Sequence, residues 1–154
     1  MAILAFLGAL LLVQQAPAPE TFFVGRMESV GTVDMILARP HQVRVRTHGR
    51  MARDGALLMD QVVEEEGKPP RRRSWRLVRA GANRFTGSVT DARGAVSGEM
   101  NGNVLRLRYR TDRNISVDQS ITLHPGGRTA HNRMTFRRFG LTVATYEETI
   151  RRVD

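Results

Sequence analysis

The sequence predicts an all-β protein, an antiparallel up-and-down β-barrel of about eight to ten strands. Apolar residues recur with a period of two from about residue 28, and turn-forming residues interrupt the chain at roughly 8–14 residue intervals. After residue 25, no segment carries a convincing helical stripe of ten or more residues. With 154 residues, of which 41% are hydrophobic, the chain is long enough for one domain with a real core.

Alternation along the chain predicts the individual strands. The clearest strand covers residues 104–110, where one face carries Leu105, Leu107 and Tyr109 and the other carries Arg106, Arg108 and Arg110. The same pattern turns Val43 and Val45 inward in one strand, and Trp75 and Leu77 inward in another. Residues 120–123 and 141–145 continue it. Clusters of Gly, Pro, Asn and Asp separate these runs and supply the turns of an antiparallel meander.

An antiparallel sheet with this many strands is expected to close on itself, because closure removes the exposed strand edges. A two-sheet sandwich is the alternative, and a period of two does not distinguish the two architectures. A barrel of this size is either filled by its side chains or holds one small ligand.

The first residues are predicted to be a targeting segment. Residues 2–13 form an unbroken apolar run of 12, which is too short for a membrane-spanning helix but fits the core of a signal peptide. We therefore expect residues 1–18 to be a signal peptide or N-terminal anchor and residues 19–154 to be the barrel. Proline follows both candidate cleavage positions, Ala16 and Ala18, so a periplasmic protein and one tethered to the inner membrane both remain open. The competing interpretation is a buried N-terminal helix.

Charge and cysteine content exclude several classes of function. The chain has 24 basic residues (23 arginines and Lys68) against 15 acidic ones, a net charge of +9. The arginines spread over the outer faces of many strands without surface aromatics, so we expect no nucleic-acid partner. An anionic lipid surface or polysaccharide is the better electrostatic partner, and a solvated arginine face that reflects coding bias is the competing interpretation. Zero cysteines exclude disulfides, thiolate metal sites and a lipidated N-terminal cysteine. None of the four histidines has a second His, Asp or Glu at a spacing typical of metal ligands. We therefore expect no cofactor and no metal.

Four groups of residues carry a resemblance to a known family. They are Phe23-x-Gly25 with Gly31; Arg72 to Leu77 after the acidic turn Glu64-Glu65-Glu66-Gly67; Phe85-Thr86-Gly87 with Asp91, Gly94, Gly98, Gly102 to Leu105 and Tyr109; and Asn132-Arg133 with Phe139-Gly140 and Val143. In this order, residues 22–154 resemble an uncharacterised bacterial lipocalin-like family, a domain of unknown function that often occurs in lipoproteins. The resemblance implies a small envelope barrel with no assigned activity. It also implies a lipid ligand, because family genes often neighbour genes that modify fatty acyl chains.

One predicted hairpin supplies a candidate polar site. If its turn is centred between Glu66 and Gly67, the numbers of facing residues sum to 133. Leu58 then opposes Trp75 and Asp60 opposes Arg73, all with inward parity. A buried charge requires a partner, so an Asp60–Arg73 pair beside the Trp75 ring is expected. The pair would either anchor a ligand carboxylate through the Arg73 guanidinium or close one barrel end structurally.

The remaining candidates follow from strand parity and from the resemblance. Asn132 shares the face of Met134 and Phe136 and is expected in the lumen, with Arg133 outside, although the resemblance does not indicate which of the two matters. Leu107, Tyr109 and Trp75 are the expected lumen wall, together with Leu77 and Leu105. The predicted ligand-binding residues are thus Leu58, Asp60, Arg73, Trp75, Leu107, Tyr109, Asn132 and Arg133.

The sequence therefore predicts an exported, non-enzymatic barrel that binds a small apolar ligand such as a fatty acyl chain. An enzyme acting on a lipid-like substrate is one alternative, and it requires Asp60, Arg73 and His131 to converge. The other alternative is a filled structural barrel, which the absence of a cavity of about 300 Å³ would favour.

Overall fold

The computed structural model describes residues 16–154, in which one short helix precedes ten β-strands. The elements are α1 (Pro19–Phe22), β1 (Gly25–Met35), β2 (His41–Met51), β3 (Leu57–Glu65), β4 (Arg71–Arg79), β5 (Arg84–Val89), β6 (Val96–Asn101), β7 (Val104–Thr111), β8 (Ile115–Leu123), β9 (Thr129–Arg138) and β10 (Leu141–Arg152). The predicted targeting run, residues 2–13, lies outside the described residues. Within residues 16–154, no helix has the length and hydropathy needed to cross a membrane.

The strands form one closed antiparallel barrel in which each strand pairs with its neighbours in sequence. β10 returns to pair with β1, from Met27 opposite Arg152 to Met35 opposite Ala144, and this pairing closes the sheet. The predicted up-and-down barrel is confirmed, at the upper end of the predicted strand number. The alternative sandwich is wrong, because the first and last strands pair with each other instead of leaving two open sheets.

Period-two alternation sorts the side chains as expected. In β7, Leu105, Leu107 and Tyr109 are buried and the three intervening arginines are exposed. β2 buries Val43 and Val45 and exposes Arg44 and Arg46. The apolar face of every strand is directed into a single core, and most of the arginine charge lies on the outer wall.

One end of the barrel is closed by α1. Phe22 and the adjacent Phe23 are buried there, with the two rings edge to face at 4.9 Å. Arg79 holds Glu20 through two hydrogen bonds of 2.8 and 2.9 Å, and Arg152 donates to the backbone carbonyl of Phe22. These contacts fasten the N-terminal segment across the end that carries the β2–β3, β4–β5, β6–β7 and β8–β9 turns.

Gly49 of β2 permits this closure. A Cβ at this position would lie 1.6 Å from the carbonyl oxygen of Phe23, so no other residue allows the same approach of the two backbones. The opposite end, which we call the mouth, is formed by the β1–β2, β3–β4, β5–β6, β7–β8 and β9–β10 turns. No helix of residues 16–154 covers the mouth.

The register of the β3–β4 hairpin differs by one residue from the expected one. Asp60 faces Ser74 and Gln61 faces Arg73, so the paired numbers sum to 134. The turn is centred on Gly67, whose φ of +79° suits glycine, and Lys68 N–H donates to the Glu65 carbonyl at 3.0 Å. A shift of one residue on one strand moves that strand's side chains to the other face of the sheet. The predicted inward placement of Leu58 and Asp60 is therefore wrong.

Candidate functional site

A cavity of about 120 Å³ occupies the barrel lumen. It extends from Glu65 and Asp91 near the mouth to Phe23 and Ile150 near the closed end. Its wall is mainly apolar and is formed by residues from nearly all strands, including Val43, Val45, Met59, Leu77, Leu105 and Leu107. Because this small volume extends from the mouth to the closed end of the barrel, the cavity is narrow.

The first polar group of the lumen surrounds Arg73 near the mouth. The Arg73 side chain is 13% exposed; its Nε lies 3.0 Å from Asp91 Oδ1, and its Nη2 donates to the Tyr109 hydroxyl at 3.2 Å. The guanidinium lies 5.4 Å from the centre of the Trp75 ring, which meets Tyr109 edge to face at 5.6 Å. Arg73 is thus inward beside Trp75 as expected. Its carboxylate partner, however, is Asp91 from the β5–β6 turn.

Trp75 connects this group to a second pair of side chains. Its indole N–H donates to Gln61 Oε1 at 2.9 Å, and Gln61 Nε2 donates to Thr47 Oγ1 at 3.1 Å. Gln61 and Met59 occupy the inward positions that were expected for Asp60 and Leu58. Asp60 is exposed and accepts a hydrogen bond from Ser74 on the outer face. The Asp60–Arg73 pair is therefore wrong, because the hairpin register directs the two side chains to opposite faces.

The second polar group lies on β9 and β10 and centres on Glu148. Asn132, 1% exposed, donates through Nδ2 to Glu148 Oε1 at 2.8 Å. The Tyr146 hydroxyl donates to Glu148 Oε2 at 2.5 Å. Burial, together with the neighbouring Glu148 carboxylate, raises the pKa of the Tyr146 hydroxyl far above its usual value. This hydroxyl therefore stays protonated and donates at every physiological pH.

Gly31 on β1 makes room for this group. A Cβ on Gly31 would lie 2.3 Å from the Glu147 carbonyl oxygen and 2.7 Å from both Glu148 Cβ and Tyr146 Cε2. The two side chains consequently pack against a strand that has no side chain at this point. Gly31 belongs to the sequence pattern quoted above, and its structural role is to admit Glu148 into the lumen.

Two buried acceptors in the lumen have no hydrogen-bond partner among residues 16–154. They are Gln119 Oε1 and Asn132 Oδ1, and both residues line the cavity. A buried polar atom without a partner is rare in proteins and calls for a water or a ligand to satisfy it. Asn132 Nδ2 donates to the Glu148 carboxylate, so the oxygen is the part of this amide that is left without a partner.

The structure brings five of the eight predicted site residues into the lumen. Arg73, Trp75, Leu107, Tyr109 and Asn132 line the cavity. Leu58, Asp60 and Arg133 lie on the outer face, where Arg133 faces Glu147 at 3.5 Å. The inward position of Asn132 and the outward position of Arg133 agree with the parity argument, but Arg133 has no access to a lumenal ligand.

Sequence reasoning missed Gln61, Asp91, Gln119, Tyr146 and Glu148. The alternation Tyr146, Glu148, Ile150 in β10 was a usable signal, because an acid that shares parity with two apolar residues is directed inward. Asp91 stood in the pattern that carried the family resemblance. Gln119 and Gln61 gave no comparable signal, since isolated glutamines are common on outer faces.

Residues 16–154 contain neither a cluster arranged to hold a metal nor the catalytic cluster that the enzyme alternative requires. No group of three or more His, Asp or Glu side chains there is arranged to hold a metal. His131 and Asp60 are exposed on the outer wall while Arg73 lies in the lumen, so these three residues do not converge. The enzyme alternative loses the cluster on which it depended.

A family model described as "Protein of unknown function (DUF3833)" matches residues 13–152. The chain belongs to this family. The match confirms the predicted membership of an uncharacterised family, and it covers the whole DUF3833 barrel together with α1. The search of curated proteins gave no match.

Solved structures similar to the DUF3833 chain share its lipocalin-like barrel. The S-type phycobiliprotein lyase CPES from Guillardia theta has a TM-score of 0.71 at 10% identity, covering 88% of this chain and 90% of the lyase. A DUF3598 protein of unknown function from Nostoc punctiforme has a TM-score of 0.69 at 12% identity, covering 94% of this chain but 53% of its own. Rv2717c from M. tuberculosis has a TM-score of 0.67 at 12% identity, covering 89% and 99%. At these identities the likeness shows the fold alone.

Proposed function

We propose that this DUF3833 barrel binds one slender, mainly apolar ligand in its lumen, such as a molecule with a single acyl chain, and does so in the bacterial envelope without catalysis. The observation that carries the proposal is the pair of unpartnered buried acceptors, Gln119 Oε1 and Asn132 Oδ1, on an otherwise apolar cavity. Each such atom costs about 1–3 kcal/mol when it stays unsatisfied. A ligand that donates hydrogen bonds there recovers this cost.

The polar groups already in the lumen favour a hydrogen-bond-donating head group. Arg73 already donates to Asp91 and Tyr109 and its charge is paired with Asp91, so it attracts a ligand carboxylate less than an unpaired arginine would. The second polar group presents the free Asn132 oxygen next to the Glu148 carboxylate, and Gln119 of the neighbouring strand β8 adds another free acceptor to the cavity wall. A hydroxyl, amide or ammonium group fits these atoms, whereas a carboxylate would bring a second anion beside Glu148.

The size of the cavity decides between ligand classes. About 120 Å³ is well above the roughly 10–15 Å³ that one water requires, but below the about 300 Å³ at which pockets for drug-sized ligands begin. By the criterion of about 300 Å³ given above, this volume favours a filled structural barrel over both the carrier and the enzyme, and a carried ligand would have to be slender. An acyl chain has a narrow cross-section and matches both the apolar wall and the elongated shape.

An enzyme acting on a lipid-like substrate is the second candidate. One similar solved structure is described as a phycobiliprotein lyase, and Glu148 with its Tyr146 donor is a buried acid inside a cavity. Among residues 16–154, no group of three or more His, Asp or Glu side chains is arranged to hold a metal beside this pair. Conversion of a bound lipid into a species of different mass by the purified protein would support the enzyme and contradict the carrier.

Trp75 provides the direct test of the lumen. It is the chain's one tryptophan and lines the cavity, so its fluorescence reports on ligand entry. We expect a long-chain fatty alcohol to change the emission and to bind about tenfold more tightly than the fatty acid of equal chain length, as one unsatisfied buried acceptor implies. Gln119→Leu removes an acceptor without breaking a bond to the protein and should reduce this preference. Gln42→Leu on the outer surface is the matched control and should behave as the wild type.

Native mass spectrometry of protein purified from its own envelope tests whether a ligand is carried in the cell. A retained mass that disappears on lipid extraction supports the proposal. Protein that is repeatedly empty, combined with unchanged Trp75 emission for every lipid, would establish the filled barrel instead.

Localisation is a separate part of the proposal and rests on residues 2–13. We expect the full chain to fractionate with the periplasm or the inner membrane, and a chain lacking residues 2–13 to stay in the cytoplasm. Equal cytoplasmic recovery of both chains would show that the apolar run is not an export signal.

A further inference from the structure

The mouth of the barrel carries a patch of exposed apolar side chains on two neighbouring turns. We name it the mouth patch; it consists of Met35, Ile36 and Leu37 at the β1–β2 turn and Phe139 and Leu141 at the β9–β10 turn. Leu37 is fully exposed, and Phe139 and Leu141 are 76% and 71% exposed. Large apolar residues grouped in this way on a soluble surface mark an interaction site.

Strand pairing brings the two turns together. β1 lies beside β10, with Met35 opposite Ala144, and the Ile36 N–H donates to the Val143 carbonyl at 3.0 Å. Phe139 and Leu141 lie at the start of the same β10 ladder. The five side chains therefore form one patch on one sector of the mouth.

The backbone presents two of these side chains in an unfavourable conformation. Leu37 has a φ of +61° and Phe139 a φ of +50°, in the left-handed region that large side chains avoid. Glycine or asparagine would fit both turns with less strain. Bulky apolar residues at the tips of exposed turns, held in strained positions, indicate a role in binding rather than in folding.

Arginines flank the mouth patch. Arg39 follows Leu37 in the β1–β2 turn, and Arg137 and Arg138 end β9, with the Arg138 guanidinium 5.3 Å from the Phe139 ring centre. No ion pair joins these three arginines to an acid within residues 16–154. Asp34 is the one acidic residue on these two turns and their adjoining strand ends, residues 33–42 and 136–143.

We propose that the mouth patch inserts into the surface of an anionic lipid membrane, with Arg39, Arg137 and Arg138 contacting lipid phosphates. Convex turn tips fit between lipid headgroups, whereas a protein partner would require a groove of matching shape. Arginine side chains extend along apolar surface while their charge stays at the interface. The anionic headgroups supply the charges that these arginines lack in the protein.

The position of the mouth patch sets the orientation of the barrel on the membrane. The patch surrounds one side of the lumen opening, so insertion brings the mouth against the membrane while the end closed by α1 faces away. The acidic β3–β4 turn, with Glu64, Glu65 and Glu66, lies on the far side of the β1–β2 turn. We therefore expect a tilted orientation in which the β9–β10 side is deepest. Docking itself does not depend on whether the lumen holds a ligand.

The absence of native cysteine allows a direct test in the full chain. Leu37→Cys is labelled with the environment-sensitive fluorophore NBD, and Met51→Cys, an exposed apolar site at the closed end, is the matched control. With phosphatidylglycerol-containing vesicles we expect a blue shift and a gain in intensity at position 37 and no change at position 51. High salt or pure phosphatidylcholine vesicles should weaken the response, by roughly fivefold for each arginine contact that is lost.

A second variant measures the apolar contribution. Phe139→Ser should lower vesicle partitioning about tenfold, while Met51→Ser should leave it unchanged. Both sites are exposed, so both variants should keep the wild-type melting temperature. Residues 2–13 are present in every variant, and any membrane affinity of their own is common to all of them.

Equal responses at positions 37 and 51, or equal binding to anionic and zwitterionic vesicles, would overturn the proposal. A response at position 37 that appears only with a protein fraction would also overturn it and would make the mouth patch a protein interface. An empty lumen by mass spectrometry together with a positive vesicle response would contradict the carrier function alone.

Discussion

Replacing Arg73 by Met removes the guanidinium that joins β4, β7 and the β5–β6 turn and keeps most of the straight apolar stem. The Tyr109 hydroxyl then loses its donor at 3.2 Å inside a nearly buried site, and an unpaired buried polar group costs about 1–3 kcal/mol. The Asp91 side chain is 42% exposed, so water replaces its partner and the ion pair adds only about 0.5 kcal/mol. We expect Arg73→Met to reduce the free energy of unfolding by about 2 kcal/mol.

Urea denaturation measures this loss. With an m-value of about 2 kcal/mol per molar, the midpoint should fall by about 1 M. Arg72→Met is the matched control, because Arg72 is exposed on the outer face opposite Val62. It should change the midpoint by no more than about 0.3 M. Equal midpoints for Arg72→Met and Arg73→Met would refute the argument that the lumenal arginine stabilises the mouth.

A double-mutant cycle with Tyr109→Phe isolates the hydrogen bond. Tyr109→Phe alone should cost about 1 kcal/mol, whereas in the Arg73→Met background it should cost nothing or raise stability, because it removes a buried hydroxyl that has lost its partner. Strictly additive effects would show that the two side chains do not interact in solution, despite the 3.2 Å separation.

Two further predictions concern other parts of the barrel. The hydrogen bond from His41 to Glu65, at 2.6 Å, raises the pKa of His41 above its usual value near 6.5, so its contribution to stability is complete below pH 6.5 and is lost as the pH rises through the raised pKa. His41→Gln should therefore flatten the dependence of the melting temperature on pH above about pH 6.5, and an unchanged slope would contradict this role. Gly31→Ala should reduce stability by about 1–3 kcal/mol, because the new methyl group meets the β10 backbone at 2.3 Å, whereas Gly81→Ala, with its nearest contact at 3.8 Å, should be neutral in the same urea titration.

Much of the barrel was predictable because alternation is a local property of a strand. Leu105, Leu107 and Tyr109 were assigned inward from the residues of β7 alone, and Asn132 was assigned inward from β9. Such assignments need only the two-residue period and the cost of burying an arginine. Closure of ten strands followed from strand number and from the need to remove exposed edges.

The side chains that meet across neighbouring strands were not predictable in the same way. Placing the β3–β4 turn one residue from its true centre reversed Leu58 and Asp60 and assigned the wrong carboxylate to Arg73. The correct partner, Asp91, lies 18 residues further along the chain in a different turn. No local pattern encodes that distance, because it depends on the path of β4, β5 and the turn after β5.

The sequence by itself determined the fold class, the inward and outward faces of β2, β4, β7 and β9, the outward spread of arginine charge and the family. The tertiary structure alone decided which polar side chains meet: Asn132 reaches Glu148 because β9 and β10 pair in one particular register, and Gly31 leaves the space that the carboxylate needs. It also decided the narrowness of the lumen and the meeting of the β1–β2 and β9–β10 turns at the mouth. The physical reason is that side-chain parity arises within one strand, whereas contacts, cavities and surface patches arise from the registers of several strands together.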